Sequence, residues 1–370
     1  MTTTGAVWHA NVIGEATQLA QLAPAWDRLW AESVQQRPSI ALRHGYVSLG
    51  VRHAAPGSRF CIILVWQAER LVGAWPLAIR RERGIRVAHH VGCGNDEEYA
   101  GPLVADDVDP ARVVALALPH LRAVADAVWL CNLACGSALE AAFADAGLFR
   151  ACQPVVSPIV RSGQFADPAA WRASKSKHFR ALMGNDRRRL AKQGRLESIR
   201  VEPDAAAAFC DWFFATKCRW LDTNGLKSKW LRQSHCRDFF EAALRDPAGS
   251  GVFAPALRLD GAYVAGGFCF DGDPIEFFAT TYDPAHGRFG PGSLLYEDIA
   301  VLGIATGRNV DLRITWDTYK LRWADGGDAR LTMLMALTPR GVPAALAFAA
   351  RQRWKAVRRR LGALKRRWWR

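Results

Sequence analysis

The residues best placed for chemistry lie in the stretch Asp283-Pro284-Ala285-His286-Gly287-Arg288-Phe289-Gly290-Pro291-Gly292-Ser293-Leu294-Leu295-Tyr296. Gly290 and Gly292 stand just before Ser293, a good N-cap, and the apolar run from Leu294 predicts a helix over 293–306. A helix start presents N–H groups without intrahelical partners and the positive end of the peptide dipoles. A pyrophosphate can sit there if glycines let it approach the backbone. Arg288 puts a cation in the same loop. Upstream, Glu276 and Tyr282 fall on a predicted strand over 274–282. Downstream, Asp317, Tyr319 and Lys320 bring an acid, a phenol and an ammonium into one short segment.

Other chemistries lack their residues. The 9 cysteines are scattered, no CxxC occurs, and the close pair Cys131 and Cys135 has no second pair to complete a zinc site. The histidines form no HxH or HxxxH pattern, so no metal site is expected. There is no Gly-x-Ser-x-Gly nucleophile elbow. Most cysteines sit in apolar runs such as Phe268-Cys269-Phe270, which predicts reduced, buried thiols. Met1-Thr2-Thr3-Thr4-Gly5 has neither the basic nor the apolar region of a signal peptide. The most apolar stretch, 111–135, is interrupted by Arg112, Arg122 and Asp126, short of the ~20 apolar residues of a membrane span. A cytoplasmic protein is expected.

The elements that would position the loop follow from periodicity. A chain of 370 residues predicts two or three domains, and 50% hydrophobic with 23% charged residues excludes wholesale disorder. Helical spacing of Leu19, Leu22, Trp26, Leu29 and Trp30 predicts a helix over 15–33, and a second is predicted over 40–53. Strands are predicted over 59–67, 71–79 and 85–91, a helix over 109–126, a buried strand over 127–134, a helix over 137–146 and a strand over 149–160. The order then recurs. A basic helix or helix pair spans 167–194, a strand 198–202, and helices 204–221 and 229–245. A meander occupies 252–259, 262–271 and 274–282, with a turn at Asp260-Gly261. The helix at 293–306 and strands at 309–315 and 330–337 close the second half. Both halves thus run helices, antiparallel strands, helix, strand, with a boundary expected near 160.

A glycine loop between an antiparallel meander and a helix is similar to the acyl-CoA loop of the GNAT N-acyltransferases, of form Gln/Arg-x-x-Gly-x-Gly/Ala. Gly290 and Gly292 match its small positions. Gly287 stands at its basic position, with Arg288 displaced by one. The set can be narrowed: Asn185-Asp186-Arg187-Arg188-Arg189, then Phe289-Gly290-Pro291-Gly292-Ser293-Leu294-Leu295, then Val310-Asp311-Leu312, then Asp317-Thr318-Tyr319-Lys320-Leu321-Arg322-Trp323. This resembles the GNAT branch encoded with bacterial exopolysaccharide and cellulose synthesis genes, often called CelD or BcsL-like. That branch is akin to the Fem peptidoglycan aminoacyltransferases, which carry two GNAT-like domains. Ile314-Thr315-Trp316 replaces the glycine that usually precedes the Tyr-Lys pair.

The resemblance implies an α+β fold of tandem GNAT-like domains, each a mixed, mostly antiparallel sheet flanked by helices. The expected division is 1–160, 161–340 as the acyltransferase domain, and a basic amphipathic helix over 341–370. It implies acetyl-CoA, or another acyl-CoA, as donor, with Arg288, Gly290, Gly292, Ser293 and Leu294 around it. Segment 204–245 is too short for the long helical arm of the tRNA-dependent Fem enzymes, which favours acyl-CoA over aminoacyl-tRNA. Acyl transfer to an amine needs a proton acceptor and a stabilised oxyanion. The catalytic candidates are Lys320 for electrostatic work, Tyr319 as proton donor to the leaving thiolate, and Glu276 as base. Asp317, Tyr282 and Arg187 are candidates for holding substrate. The acidic cluster Asp96-Glu97-Glu98 beside Tyr99 suggests recognition of a polar acceptor, such as an amino sugar, between the domains.

The formal charge of +14 is concentrated in two segments. Residues 351–370 hold ten Lys/Arg and no acid, and residues 172–200 hold ten against Asp186 and Glu197. Trp354, Val357, Leu361, Leu364 and Trp368 recur at helical spacing in the first. A basic helix with tryptophans on one face suits an anionic membrane surface. Arg/Trp pairing with a cyclic dinucleotide, and a helix packed back on the protein, are the other readings. The 172–200 segment suits an anionic substrate, such as a nucleotide- or lipid-linked sugar. Nucleic acid ranks low, since no binding module accompanies the charge. Three functions stand: N-acylation of an amino sugar or amino-bearing exopolysaccharide or envelope precursor, a non-catalytic effector on the same scaffold, and aminoacyl-tRNA-dependent transfer.

Overall fold

The computed structural model describes residues 7–55, 57–95, 98–314 and 319–368, with side chains as far as Lys355. The first half of the chain contains β1 (Trp8–Ile13), α1 (Ala16–Gln21), α2 (Ala23–Ala31), α3 (His44–Arg52), β2 (Arg59–Gln67), β3 (Arg70–Glu82), β4 (Ile85–His90), β5 (Leu103–Val104), α4 (Pro110–Val124), β6 (Ala127–Ala134), α5 (Ala138–Asp145) and β7 (Arg150–Val160). The second contains α6 (Pro168–Ser174), α7 (Lys177–Ala191), β8 (Leu196–Arg200), α8 (Ala206–Thr223), α9 (Ser234–Arg245), α10 (Pro247–Ser250), β9 (Val252–Phe253), β10 (Pro255–Leu259), β11 (Ala262–Phe270), β12 (Ile275–Tyr282), α11 (Pro291–Ala305), β13 (Val310–Asp311), β14 (Gly326–Ala336) and α12 (Val342–Trp368).

Local chemistry sets most boundaries. Pro24 in the first turn of α2 splits the helix predicted over 15–33 into two, because proline cannot continue α1 but can start α2. Asp109 caps α4 by accepting from the Ala111 N–H, with Pro110 at its first position. Ser176 caps α7 through the Phe179 N–H, which makes the basic 167–194 segment a helix pair. The alternation Trp8, Ala10, Val12 marks β1, a strand absent from the reading of the sequence. The strand predicted over 309–315 is only Val310–Asp311.

All 14 strands join one sheet, with the order β1-β2-β3-β4-β6-β14-β7-β13-β12-β11-β10-β8 and β5 and β9 added on β3 and β11. The order is a palindrome about the β14–β7 pair. Each half contributes a meander (β2-β3-β4 or β10-β11-β12), a crossover helix (α4 or α11) and a strand parallel to the last of the meander. These parallel pairs are β4 with β6 and β12 with β13. Each half then sends its final strand into the other. β14 pairs with β6 from Arg330↔Ala134 to Ala336↔Ala127, and β7 pairs with β13. The two exchanged strands pair with each other over ten residue pairs. The duplicated order read from the sequence is therefore physical. The division at 160 falls at the end of β7, whose neighbours both belong to the second half.

Side-chain alternation separates two faces. On one, Met333, Met335, Val128 and Leu130 pack against Leu118, Leu121 and Phe143 of α4 and α5. Ile275, Phe277 and Val310 pack there against Leu294, Leu295 and Ile299 of α11. On the other, Phe268 and Phe270 meet Phe209, Phe213 and Phe240 of α8 and α9, with Phe240 stacked on Phe268 at 4.1 Å. Each such side chain contributes about 1.5–3 kcal/mol by leaving water. Six cysteines are buried; Cys135 and Cys152 are exposed and Cys218 is intermediate, so the expectation of buried thiols holds for most rather than all.

Candidate active site

The loop after β12 is a short 3₁₀ helix over Pro284–Phe289, capped by the Asp283 carboxylate accepting from the Ala285 N–H. It ends at Gly290, whose φ of 58° is left-handed, a conformation that favours glycine. Gly290 is also the N-cap of α11 and offers no side chain to its N–H groups. A Cβ at Gly292 would lie 3.2 Å from Tyr282 Cδ1, so any larger residue must push the Tyr282 ring back by a few tenths of an ångström. The result is a cradle of backbone at the positive end of a 15-residue helix. Ser293 is inside the helix rather than its cap, and Leu294 is buried in the core beneath it.

The symmetry-related helix makes an instructive control. At the start of α4 the side chain of Asp109 already fills the position that Gly290 leaves open. Asp107 beside it is paired with Arg70 at 2.8 Å. A carboxylate there repels an anion, which sets the start of α4 apart from that of α11.

The basic side chains around α11 are mostly braces. Arg187 on α7 pairs with Glu297 at 3.2 Å and with Asp298. Arg172 on α6 donates to Glu297 at 3.0 Å. Arg288 lies over the Phe289 ring at 4.7 Å, with Arg189 5.3 Å from the same ring. Asp186 backs the loop, its Oδ2 3.0 Å from where a Gly290 Cβ would be. Burial raises its carboxyl pKa, and Arg189, 3.7 Å away, partly offsets that.

Downstream of β13, Lys320 Nζ donates to the Leu312 carbonyl at 2.7 Å and to those of Ile314 and Arg313 at 3.2 and 3.4 Å. It gathers the backbone where the chain leaves β13. Tyr319 is 40% exposed, and its hydroxyl shares a hydrogen bond of 3.0 Å with that of Tyr296 on α11. Tyr296 is stacked on Trp323, and burial raises its phenol pKa well above the usual value. Tyr319, Tyr282 and the glycine loop are thus tied together through α11. Asp317 lies outside the described residues.

Glu276 is not part of that group. It is 3% exposed, on the opposite face from Ile275 and Phe277, and ion-paired with Arg313. Burial raises its pKa, with Arg313 opposing. It belongs to a network that the sequence did not reveal. Asp311 accepts from Tyr99 at 2.9 Å, from Ser157, from the Arg313 N–H at 2.6 Å and from Arg330 at 3.1 Å. The Tyr99 ring lies between two guanidinium groups, Arg313 at 3.9 Å and Arg330 at 3.7 Å. Of the acidic cluster, Asp96 and Glu97 lie outside the described residues. Glu98 is buried and accepts from the Cys93 N–H at 2.8 Å.

Lys217 on α8 was also missed. Its Nζ donates to the Thr280 carbonyl of β12 at 2.8 Å, and burial lowers its pKa to about 8. The only hint was a lysine in a helix rich in Phe and Trp.

β12 and β13 pair only at Ile275↔Val310 and Glu276↔Asp311, then diverge. On the face away from α11 a cleft of about 1060 Å³ opens between the halves. Trp129, Val155 and Leu334 of the central strands form its floor, Trp230 and Ile314 stand at its sides, and Phe348 of α12 forms part of a wall. Among the described residues no group of His, Cys, Asp or Glu could hold a metal ion, and no helix is long and apolar enough to cross a membrane.

Residues 177–321 match the family described as an acetyltransferase (GNAT) domain. Three similar solved structures are the following in kind. L-PGS from Bacillus licheniformis is 12% identical, with a TM-score of 0.56 over 88% of this chain and 96% of that one. FemX is 10% identical, with a TM-score of 0.53 over 78% and 94%. A tandem GNAT protein from the clavulanic acid biosynthesis pathway is 13% identical, with a TM-score of 0.51 over 90% and 99%. At these identities the likeness is one of fold. No curated protein matches the chain.

Proposed function

We propose that this chain, a GNAT-type N-acyltransferase by its 177–321 domain, carries an acyl group from acyl-CoA, most simply acetyl-CoA, to an amino group. The acceptor in this reading is an amino sugar or another amino-bearing precursor of exopolysaccharide or cell envelope. The observation that carries the donor assignment is the uncapped, glycine-flanked start of α11, set against the carboxylate-capped start of α4. The pyrophosphate of the donor sits on the Gly290–Ser293 backbone. The acyl thioester reaches the gap where β12 and β13 part. The acceptor approaches from the cleft on the other face.

In the reaction the neutral amine nitrogen attacks the thioester carbonyl. A C–N bond forms, the C–S bond breaks, and the amine proton passes to a base or solvent. Tyr319 gives its proton to the leaving thiolate and regains one through Tyr296 or water. Lys320 holds the 312–314 backbone as one side of the gap. Glu276, shut in with Arg313, braces that side rather than meeting the amine.

The test is calorimetric titration of the whole chain with acetyl-CoA and CoA, repeated on Gly292→Trp, whose indole would fill the space against Tyr282. Saturable binding lost in the variant is expected. Absence of binding to the unmodified chain overturns the acyl-CoA reading and leaves the effector and the tRNA-dependent transferase.

A further inference from the structure

The cleft joins an aromatic and aliphatic interior to a cationic rim. Its floor is largely apolar, Trp129, Val155 and Leu334 with Gln153 and Thr332 among them, and Phe348 in the α12 wall packs edge to face on Trp129 at 5.2 Å. Its rim is cationic. Seven of the described lining residues are Lys or Arg, and the one acid among them is Glu82. Arg81, Arg83, Arg340 and Arg351 come from three separate places, the β3–β4 hairpin, the turn before α12 and α12 itself, and all four are exposed. At about 1060 Å³ the space reaches the upper end of the ~300–1,000 Å³ typical of small-molecule pockets.

Apolar floors and charged rims suit different parts of one ligand. A hydrocarbon chain gains by leaving water against Trp129 and Leu334. A phosphate gains from guanidinium groups, which match its oxygens two at a time. We infer that the cleft binds a phosphate-bearing single-chain or prenyl-type lipid, with its chain on the floor and its phosphate among the rim arginines. α12 serves as the wall along which such a lipid enters. Trp354, 63% exposed on the same helix, offers an indole to a lipid surface. That this lipid carries the accepting amine rests on the acyl-transfer reading; that it binds does not.

The experiment is calorimetric titration of the whole chain with a soluble lysophosphatidic acid below its critical micelle concentration. Glycerol 3-phosphate supplies the head without the chain, and lysophosphatidylcholine supplies the chain with a neutral head. Lysophosphatidic acid should bind at least about tenfold more tightly than either, a difference readily resolved. Arg81→Glu combined with Arg340→Glu, at exposed positions that spare the fold, should abolish the preference for the anionic lipid. Leu334→Asp should abolish the dependence on the chain, with thermal unfolding checking that the variant is folded.

Equal binding of glycerol 3-phosphate would make this a plain anion site and overturn the proposal. So would equal binding of lysophosphatidylcholine, or lipid binding untouched by both variants, which would move it to the end of α12. Lipid binding without acetyl-CoA binding would keep this inference and remove the proposed reaction. Acetyl-CoA binding without lipid binding would do the reverse.

Discussion

Lys217 and Tyr319 meet solvent to different degrees, and each difference can be measured. Lys217 is held near a pKa of about 8 by burial, against an ordinary 10.5. Between those values the unfolded chain carries a proton that the folded chain has released. Stability attributable to this site therefore rises with pH from about 8 to 10.5 and is lowest below 8, where an ammonium must stay buried. Lys217→Met should flatten that slope in denaturant titrations across the same window. An unchanged slope would place the lysine in solvent. Tyr319 presents the opposite case, a half-exposed phenol with a buried partner. Tyr319→Phe should lower kcat by about 10²-fold or more, with little change in KM for the donor. A KM effect alone would make the phenol a binding group.

Among the elements, the junction between the Pro284–Phe289 turn and α11 depends on Gly290 being glycine. Gly290→Ala must place a Cβ in the left-handed region and 3.0 Å from the Asp186 carboxylate. A loss of about 1–2 kcal/mol is expected from the backbone alone, read as a lower midpoint in urea. This junction was legible in the sequence, since Gly-Pro-Gly-Ser before an apolar run carries its own signal. So were the strands of both meanders, where alternation, and in the second the Asp260-Gly261 turn, acts within a few residues. What escaped was non-local. Nothing near Asp311 in sequence announces that Tyr99 and Ser157 will reach it, because their separations exceed 150 residues. Arg187 reads as a group to hold substrate, and its partners Glu297 and Asp298 lie 110 and 111 residues later. Glu276 read as a base on a strand, and only the tertiary fold shows that Arg313 closes over it.

At the scale of the whole molecule, the exchanged strands make the halves interdependent. A fragment ending at residue 160 would leave β6 without β14, and one beginning at 161 would leave β13 without β7. Each would expose an unpaired sheet edge, which invites aggregation. Fragments 1–160 and 161–370 expressed separately should be insoluble or aggregated, and expressed together should yield a soluble complex with the far-ultraviolet spectrum of the intact chain. Two independently soluble monomers would show that the exchange is not required for folding.

The palindromic order has one more consequence. Two identical chains, each lending its last strand to the other, would build the same sheet, but such a pair would come apart on dilution. Here a peptide connection runs from β7 into α6, so the exchange occurs within one molecule. A tether of that kind holds its ends at an effective concentration in the millimolar range for short links, whatever the amount of protein in solution. It also ends the requirement for identical halves. One helix start could become Asp109 and close while the other kept Gly290 and stayed open, an asymmetry no pair of identical chains can encode.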